Sequence, residues 1–321
     1  MFQYPYMNLF LFTLFSSTLM AISSSHWLMV WMSLELNMIS FIPMIASSNW
    51  FQESEAALKY LLFQALGSSM LLLGMMNSSI MAFTLVGLLV KLGAAPFHFW
   101  FPSMMKSLPW PTAALLMTWQ KIAPLALIIT SFSLAYSFMP LIGVVGAFIG
   151  GFGGLTQTHF RALLAYSSIG HMGWMIALAP YSPLTAFMYL GFYIFISVPV
   201  LGSSYLANIQ SVKAQAHPAK TLILLTLLPC VLSLGGLPPF LGFMPKLMAI
   251  MSFSSYVLPL CLIIGSLINL SYYLNFFFST LMSSPSLKHA PQTKAPSTML
   301  IAAFWLASSP FPLFFTALFF M

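Results

Sequence analysis

The chain has 321 residues, of which 4% are charged and 60% hydrophobic, against about 25% and 45–50% in a soluble domain; a water-soluble fold of this size needs a polar surface that these residues cannot supply. Ten Lys and Arg against three Glu give a net charge of +7, too few and too scattered for nucleic-acid binding. The two cysteines, Cys230 and Cys261, lie in apolar stretches with no Cys-x-x-Cys or Cys/His cluster, so no metal or iron–sulfur site is expected on this chain.

A membrane span needs about 20 mostly apolar residues. Eleven such stretches follow one another, at roughly 3–22, 26–46, 56–76, 79–101, 109–135, 139–158, 162–179, 183–207, 219–249, 254–282 and 297–320. Their connections are short and rich in Ser, Pro and Asn. Residues 1–321 therefore read as a single transmembrane domain, an all-α polytopic membrane protein. The first basic residue is Lys59, so neither a secretory signal nor an Arg-rich transit peptide is expected. Lys59, Lys106, Arg161, Lys213, Lys220, Lys288 and Lys294 all follow even-numbered spans, whereas the opposite loops near Ser24, Asn77, Ser137, Tyr181 and Ser252 carry no Lys or Arg. The positive-inside rule places the N-terminus inside and, with eleven spans, the C-terminus outside.

In chain order, span 2 carries Glu35, the only acid at membrane depth. Span 3 opens with Glu53, Glu55 and Lys59, which read as a solvated helix end with a weak Glu55–Lys59 pair at i,i+4. Span 4 holds Lys91, followed by Leu92-Gly93-Ala94-Ala95-Pro96-Phe97, and then His98 among aromatic residues, as in an interfacial belt. His26 beside Trp27 reads the same way. Span 5 holds Lys121. In span 6, Gly146 and Gly150 form a small-xxx-small pair for close helix packing. Span 7 carries His171, a residue able to pass protons near neutral pH. Span 9 repeats the span 4 pattern, with Leu234-Gly235-Gly236-Leu237-Pro238-Pro239-Phe240 before Pro245 and Lys246. His159, His217 and His289 fall in loops.

A charged side chain at mid-membrane costs about 2.5–3.5 kcal/mol. Four of them cost on the order of 10 kcal/mol, comparable to the whole stability of a domain, so they must be paired, hydrated or partly neutral. One Glu cannot neutralise three Lys, which argues against a purely structural role. Burial disfavours an ammonium group and a nearby carboxylate favours it, so a lysine whose partner comes and goes binds and releases a proton. Proline removes a helical hydrogen bond, adjacent glycine lets the helix open, and freed backbone at membrane depth is tolerated where it lines a cavity or is buried in protein. Paired Gly/Pro interruptions in two halves of a chain point to an ion path. Here each lies beside a lysine.

These residues resemble a known family. Ser24-Ser25-His26-Trp27, Trp31 to Asn37 around Glu35, Glu55-Ala56-Ala57-Leu58-Lys59-Tyr60, Lys91 to Trp100, Thr118 to Pro124, Leu164 to Trp174 and Leu232 to Lys246 look like blocks of the antiporter-like chain 2 subunits of mitochondrial NADH–ubiquinone oxidoreductase (respiratory complex I), in order over about residues 24–250. The resemblance implies a proton-pumping subunit with two inverted five-helix repeats, each with one broken helix, and the absence of three N-terminal helices found in bacterial members. It implies that Glu35 modulates Lys91, that Lys121 is the central relay and that Lys246 is the terminal lysine; His171 is a relay candidate from its own chemistry alone. It also implies organellar synthesis and a multi-pass place in the mitochondrial inner membrane, N-terminus to the matrix and C-terminus to the intermembrane space.

No nucleotide, flavin or quinone signature occurs, so NADH, FMN, iron–sulfur clusters and ubiquinone are expected on other subunits and no cofactor or metal on this one. The expected partners are other membrane-arm and accessory subunits and membrane lipids, cardiolipin among them. Two other readings stand beside this one: a sodium/proton antiporter-type subunit on a similar scaffold, and a structural membrane subunit without a proton path.

Overall fold

The computed structural model describes residues 5–46, 51–76, 82–132, 138–211, 221–238 and 240–283. Among the described residues the chain is helical, with no strand. Its helices are α1 (Pro5–Ser23), α2 (Trp27–Ile45), α3 (Phe51–Met76), α4 (Ala82–Leu92), α5 (Trp100–Ser107), α6 (Trp110–Met117), α7 (Ile122–Phe132), α8 (Met139–Leu155), α9 (Phe160–Leu178), α10 (Pro183–Ala207), α11 (Thr221–Gly235), α12 (Phe243–Ser252) and α13 (Val257–Ser283). Among the described residues six stretches are long and apolar enough to cross a membrane: Tyr6–Ser23, Trp27–Ile45, Phe51–Met76, Trp110–Ser131, Pro183–Ala207 and Val257–Thr280. The first ten expected stretches overlap described helices, those of spans 4, 5 and 9 being divided, but among the described residues only six reach the length of a span and the rest are shorter apolar helices, so the count of eleven is not established. The stretch at roughly 297–320 lies outside the described residues, as do Lys213, Lys220, Lys288 and Lys294.

The arrangement inverts that of a soluble protein. Outward faces present Phe12, Leu19, Leu58, Leu62, Leu184 and Leu267, while Ser17, Thr18, Asn37, Gln64, Ser168 and Asn269 are buried inside. Hydrocarbon is an equally good solvent for Leu, so packing and polar contacts rather than apolar burial must hold the helices together. The central element is α9, all of whose residues except Arg161 and Tyr166 are buried.

Small residues let α9 approach α8. A Cβ on Gly150 would stand 2.6 Å from the Gly170 nitrogen, and one on Gly173 2.5 Å from the Gly143 carbonyl oxygen. The Gly146/Gly150 pattern thus marks a backbone-to-backbone seam.

Among the described residues, the start of α3, the α5–α6 connection and the start of α9 meet at one end. Arg161 at the start of α9 donates through Nη1 to the Leu108 carbonyl, lies over the Trp110 ring at 5.7 Å, and is within electrostatic reach of Glu53. Phe160 donates to the Gln210 carbonyl at 3.1 Å. At the opposite end the Tyr181 and Phe253 rings meet at 5.2 Å. Glu53 therefore departs from the expected solvated helix end: it is buried and faces Arg161. The sequence pattern along α3 cannot reveal a partner 108 residues downstream. Glu55 and Lys59 do form the exposed i,i+4 pair, at 2.5 Å.

Replacing Gly150 with Ala should open the α8–α9 seam at a cost of about 1–3 kcal/mol. Gly202→Ala, where nothing lies within 4 Å of the added carbon, should be neutral or slightly stabilising, since glycine inside a helix is worth about 1 kcal/mol less than alanine. Thermal unfolding of the two variants checks the contrast.

Candidate functional site

Span 4 breaks where glycine and proline coincide. α4 ends at Leu92, Gly93 turns with φ 64°, and the helix resumes as α5 at Trp100. The carbonyls released by the break find donors inside the protein. Trp100 Nε1 donates to Val90 and Gln64 Nε2 to Lys91, both at 3.1 Å. The Lys91 side chain crosses Gly67 of α3, where a Cβ would meet its Cγ at 2.8 Å. Its ammonium is buried without a hydrogen-bond partner. Glu35, half-buried on α2, is within electrostatic reach of Lys91 and Tyr60 but makes no ion pair with Lys91 within 4 Å. His98 departs from the interfacial reading: it is buried in the break, its Nδ1 3.1 Å from the Pro96 carbonyl and its ring 4.2 Å from that of Phe99. The reversal after Gly93 folds it inward.

Lys91 and Lys121 share one cavity of about 20 Å³, whose wall also includes Asn37, Gln64 and Gln120. That volume suits one water molecule, which needs two to four polar partners. Asn37 Oδ1, Lys91 Nζ and Gln120 Nε2 are all buried and unpartnered, an acceptor and two donors at one water-sized space.

Lys121 sits on a further irregularity that the two expected breaks did not include. Thr118 Oγ1 bonds back to the Ala114 carbonyl at 2.7 Å, and a 3-10 turn, Trp119–Lys121, separates α6 from α7. Pro124 explains it, because it cannot donate to the Gln120 carbonyl and its ring would clash there; that proline was a readable signal. The Lys121 ammonium has the Phe101 and Tyr193 rings at 5.0 Å each and donates to the Tyr193 hydroxyl at 3.4 Å. Among the described residues no carboxylate lies within 4 Å of it.

His171 continues from this point. Its Nδ1 lies 3.0 Å from the Tyr189 hydroxyl, its ring 5.3 Å from that of Tyr193, and it is hydrogen-bonded to the Leu234 backbone. It is within electrostatic reach of Lys121 and Lys246. Lys246, on α12 beyond the second break, reaches back to donate to the Gly235 carbonyl at 2.7 Å. Gly236 turns there with φ 78°, and a Cβ on it would stand 2.7 Å from the Lys246 nitrogen. Beside Lys246 lies a cavity of about 280 Å³ walled chiefly by apolar side chains such as Leu237, Phe243 and Ile250.

The geometry thus joins Lys91 to Lys121 through a cavity and Lys121 to His171 through two tyrosines. Lys246 lies within electrostatic reach of His171, and half-buried Glu35 lies outside the wall of the shared cavity. Asn37, Gln64, Gln120, Tyr189 and Tyr193 complete the cluster; they were not singled out from the sequence, and uncharged polar side chains at membrane depth are the signal that could have found them.

Buried charges beside broken helices define an antiporter-like membrane protein. The transmembrane family described as NADH:quinone oxidoreductase/Mrp antiporter matches residues 24–82 and 75–271, and the chain belongs to it. NADH-ubiquinone oxidoreductase chain 2 of Lumbricus terrestris is 42% identical over 306 residues, covering 90% of this chain and 91% of the relative. The Loxodonta africana protein of the same name is 37% identical over 316 residues, with 89% of each covered. A chain of respiratory complex I from Thermus thermophilus superimposes with a TM-score of 0.78 at 25% identity, over 94% of this chain and 77% of that one. A chain of the Mrp complex from Dietzia sp. DQ12-45-1b shares the fold, with a TM-score of 0.80 at 14% identity over 96% and 75%.

Gly236→Ala should strain the second break by about 1–2 kcal/mol, the cost of a side chain in left-handed backbone, and push the Lys246 ammonium off the Gly235 carbonyl. Proton translocation per assembled molecule should fall further than the assembled amount, measured side by side in membranes.

Proposed function

We propose that this chain is the proton-translocating, antiporter-like membrane-arm subunit of an NADH:ubiquinone oxidoreductase, and that Glu35, Lys91, Lys121, His171 and Lys246 form its proton relay. The observation that carries the reading is that, among the described residues, no carboxylate lies within 4 Å of the three buried lysine ammonium groups, while Lys91 and Lys121 line one water-sized cavity. When Glu35 is near, it favours the charged form of Lys91. When that contact loosens, Lys91 Nζ passes its proton to the water in the cavity as that water passes one to an uncharged Lys121, with Asn37 and Gln120 orienting the water between them. Tyr193, His171 and Tyr189 then connect Lys121 to Lys246. Moving one charge against 100 mV costs about 2.3 kcal/mol, which a change of under two pKa units, at about 1.4 kcal/mol each, supplies.

The energy comes from other subunits, which hold NADH, FMN, iron–sulfur clusters and ubiquinone; this chain contributes the proton path and no redox chemistry, cofactor or metal. It contains eleven spans in two inverted five-helix repeats plus a final span, with the broken helices fourth in each repeat. It lies in the mitochondrial inner membrane with the basic end and N-terminus at the matrix and the C-terminus at the intermembrane space. Other membrane-arm and accessory subunits and lipids, cardiolipin included, cover its outward apolar faces.

A sodium/proton antiporter is the second reading, favoured by the fold shared with the Mrp chain; sodium dependence of transport by purified material separates it. Lys121→Met and Lys246→Met remove a buried charge at nearly constant length. Both variants should assemble in normal amounts and lose most proton pumping per electron. Normal coupled pumping in both would support a structural subunit instead.

A further inference from the structure

The relay does not use the seam between α9 and α13, yet that seam holds a stripe of buried oxygens with unmet hydrogen bonds. Asn269, Tyr272 and Tyr273 are spaced i, i+3, i+4 and so lie on one face of α13. All three side chains are buried. Asn269 Oδ1 makes no hydrogen bond, and the two tyrosine hydroxyls approach only each other and Ser167, at a geometry short of a full hydrogen bond. The two rings meet edge to face at 4.7 Å, with Ser167 of α9 beside both hydroxyls. Ser167 already donates to the Leu164 carbonyl at 2.7 Å, so its oxygen is left as an acceptor.

The stripe has a direction. At its inner end the Tyr273 ring lies 3.5 Å from where a Cβ on Gly235 would stand, on the residue whose carbonyl receives Lys246, and Tyr273 is within electrostatic reach of Tyr193. Asn269 lies against Gly170, next to His171. At the outer end the Tyr272 ring packs on Gly154, near the turn into α9. Beyond it the Phe160 and Phe276 rings stack at 4.5 Å and close the seam towards the Arg161 end.

Buried polar groups left without protein partners are served by ordered water when the site is polar. Resting on the relay reading above, we propose that Tyr272, Tyr273, Asn269 and Ser167 form a water-served proton branch from the basic end to the His171–Lys246 junction, with the Phe160–Phe276 stack as its seal. The two tyrosine hydroxyls and the water between them each donate a proton inward while receiving one from behind, and Ser167 and Asn269 only accept and so orient that water; no tyrosinate forms and no electron moves.

Tyr272→Phe and Tyr273→Phe keep both rings and remove only the hydroxyls. In the assembled complex the double variant should show normal amounts and a loss of protons pumped per electron that approaches the loss in Lys121→Met. A structural role would lower the amount and leave that ratio unchanged. If Lys121→Met loses pumping while the double variant keeps it, the branch is refuted; if Lys121→Met itself pumps normally, the relay reading fails as well. Should the double variant not assemble, density for water bridging the two hydroxyls of the unaltered complex decides: its presence supports the branch and its absence overturns it.

Discussion

An ammonium group in a low-dielectric interior must find a counter-charge, a dipole or water, and three such groups organise this molecule. Each finds a different solution. Lys246 takes a backbone carbonyl, Lys121 takes a hydroxyl and two aromatic faces, and Lys91 has a water-sized cavity with a carboxylate near but not touching. None is neutralised in place by an acid, as a structural salt bridge would require.

The two broken helices are alike in sequence and unlike in what they do for their lysines. In the second, the Gly235 carbonyl at the helix end accepts from Lys246. In the first, Trp100 and Gln64 already occupy the Val90 and Lys91 carbonyls, so the backbone offers Lys91 nothing. That difference makes Lys91 the group most sensitive to where Glu35 stands, because no competing protein acceptor holds its ammonium. A proton held loosely at one end and firmly at the other suits directional transfer.

Much of this was legible in the residues. Charges at membrane depth, the glycine–proline interruptions and the Gly146/Gly150 pair follow from local chemistry, and each appears in the structure as a buried lysine, a positive-φ turn or a backbone seam. What escaped depends on contacts across the chain. Glu53 faces Arg161, and His98 folds into a break rather than facing outward. The shared cavity of Lys91 and Lys121 exists only once α2, α3, α5 and α6 converge. The 3-10 turn at Lys121 lies between: Pro124 announces it, but proline alone does not say that a lysine will sit at the distortion.

In the proposed relay, water between Lys91 and Lys121 is the element on which proton transfer turns. A structure of the assembled complex at a resolution that reveals ordered water measures it directly. The account predicts a water within hydrogen-bond distance of Lys91 Nζ, Asn37 Oδ1 and Gln120 Nε2. A dry gap closed by an apolar side chain, or either lysine turned towards lipid, would contradict it.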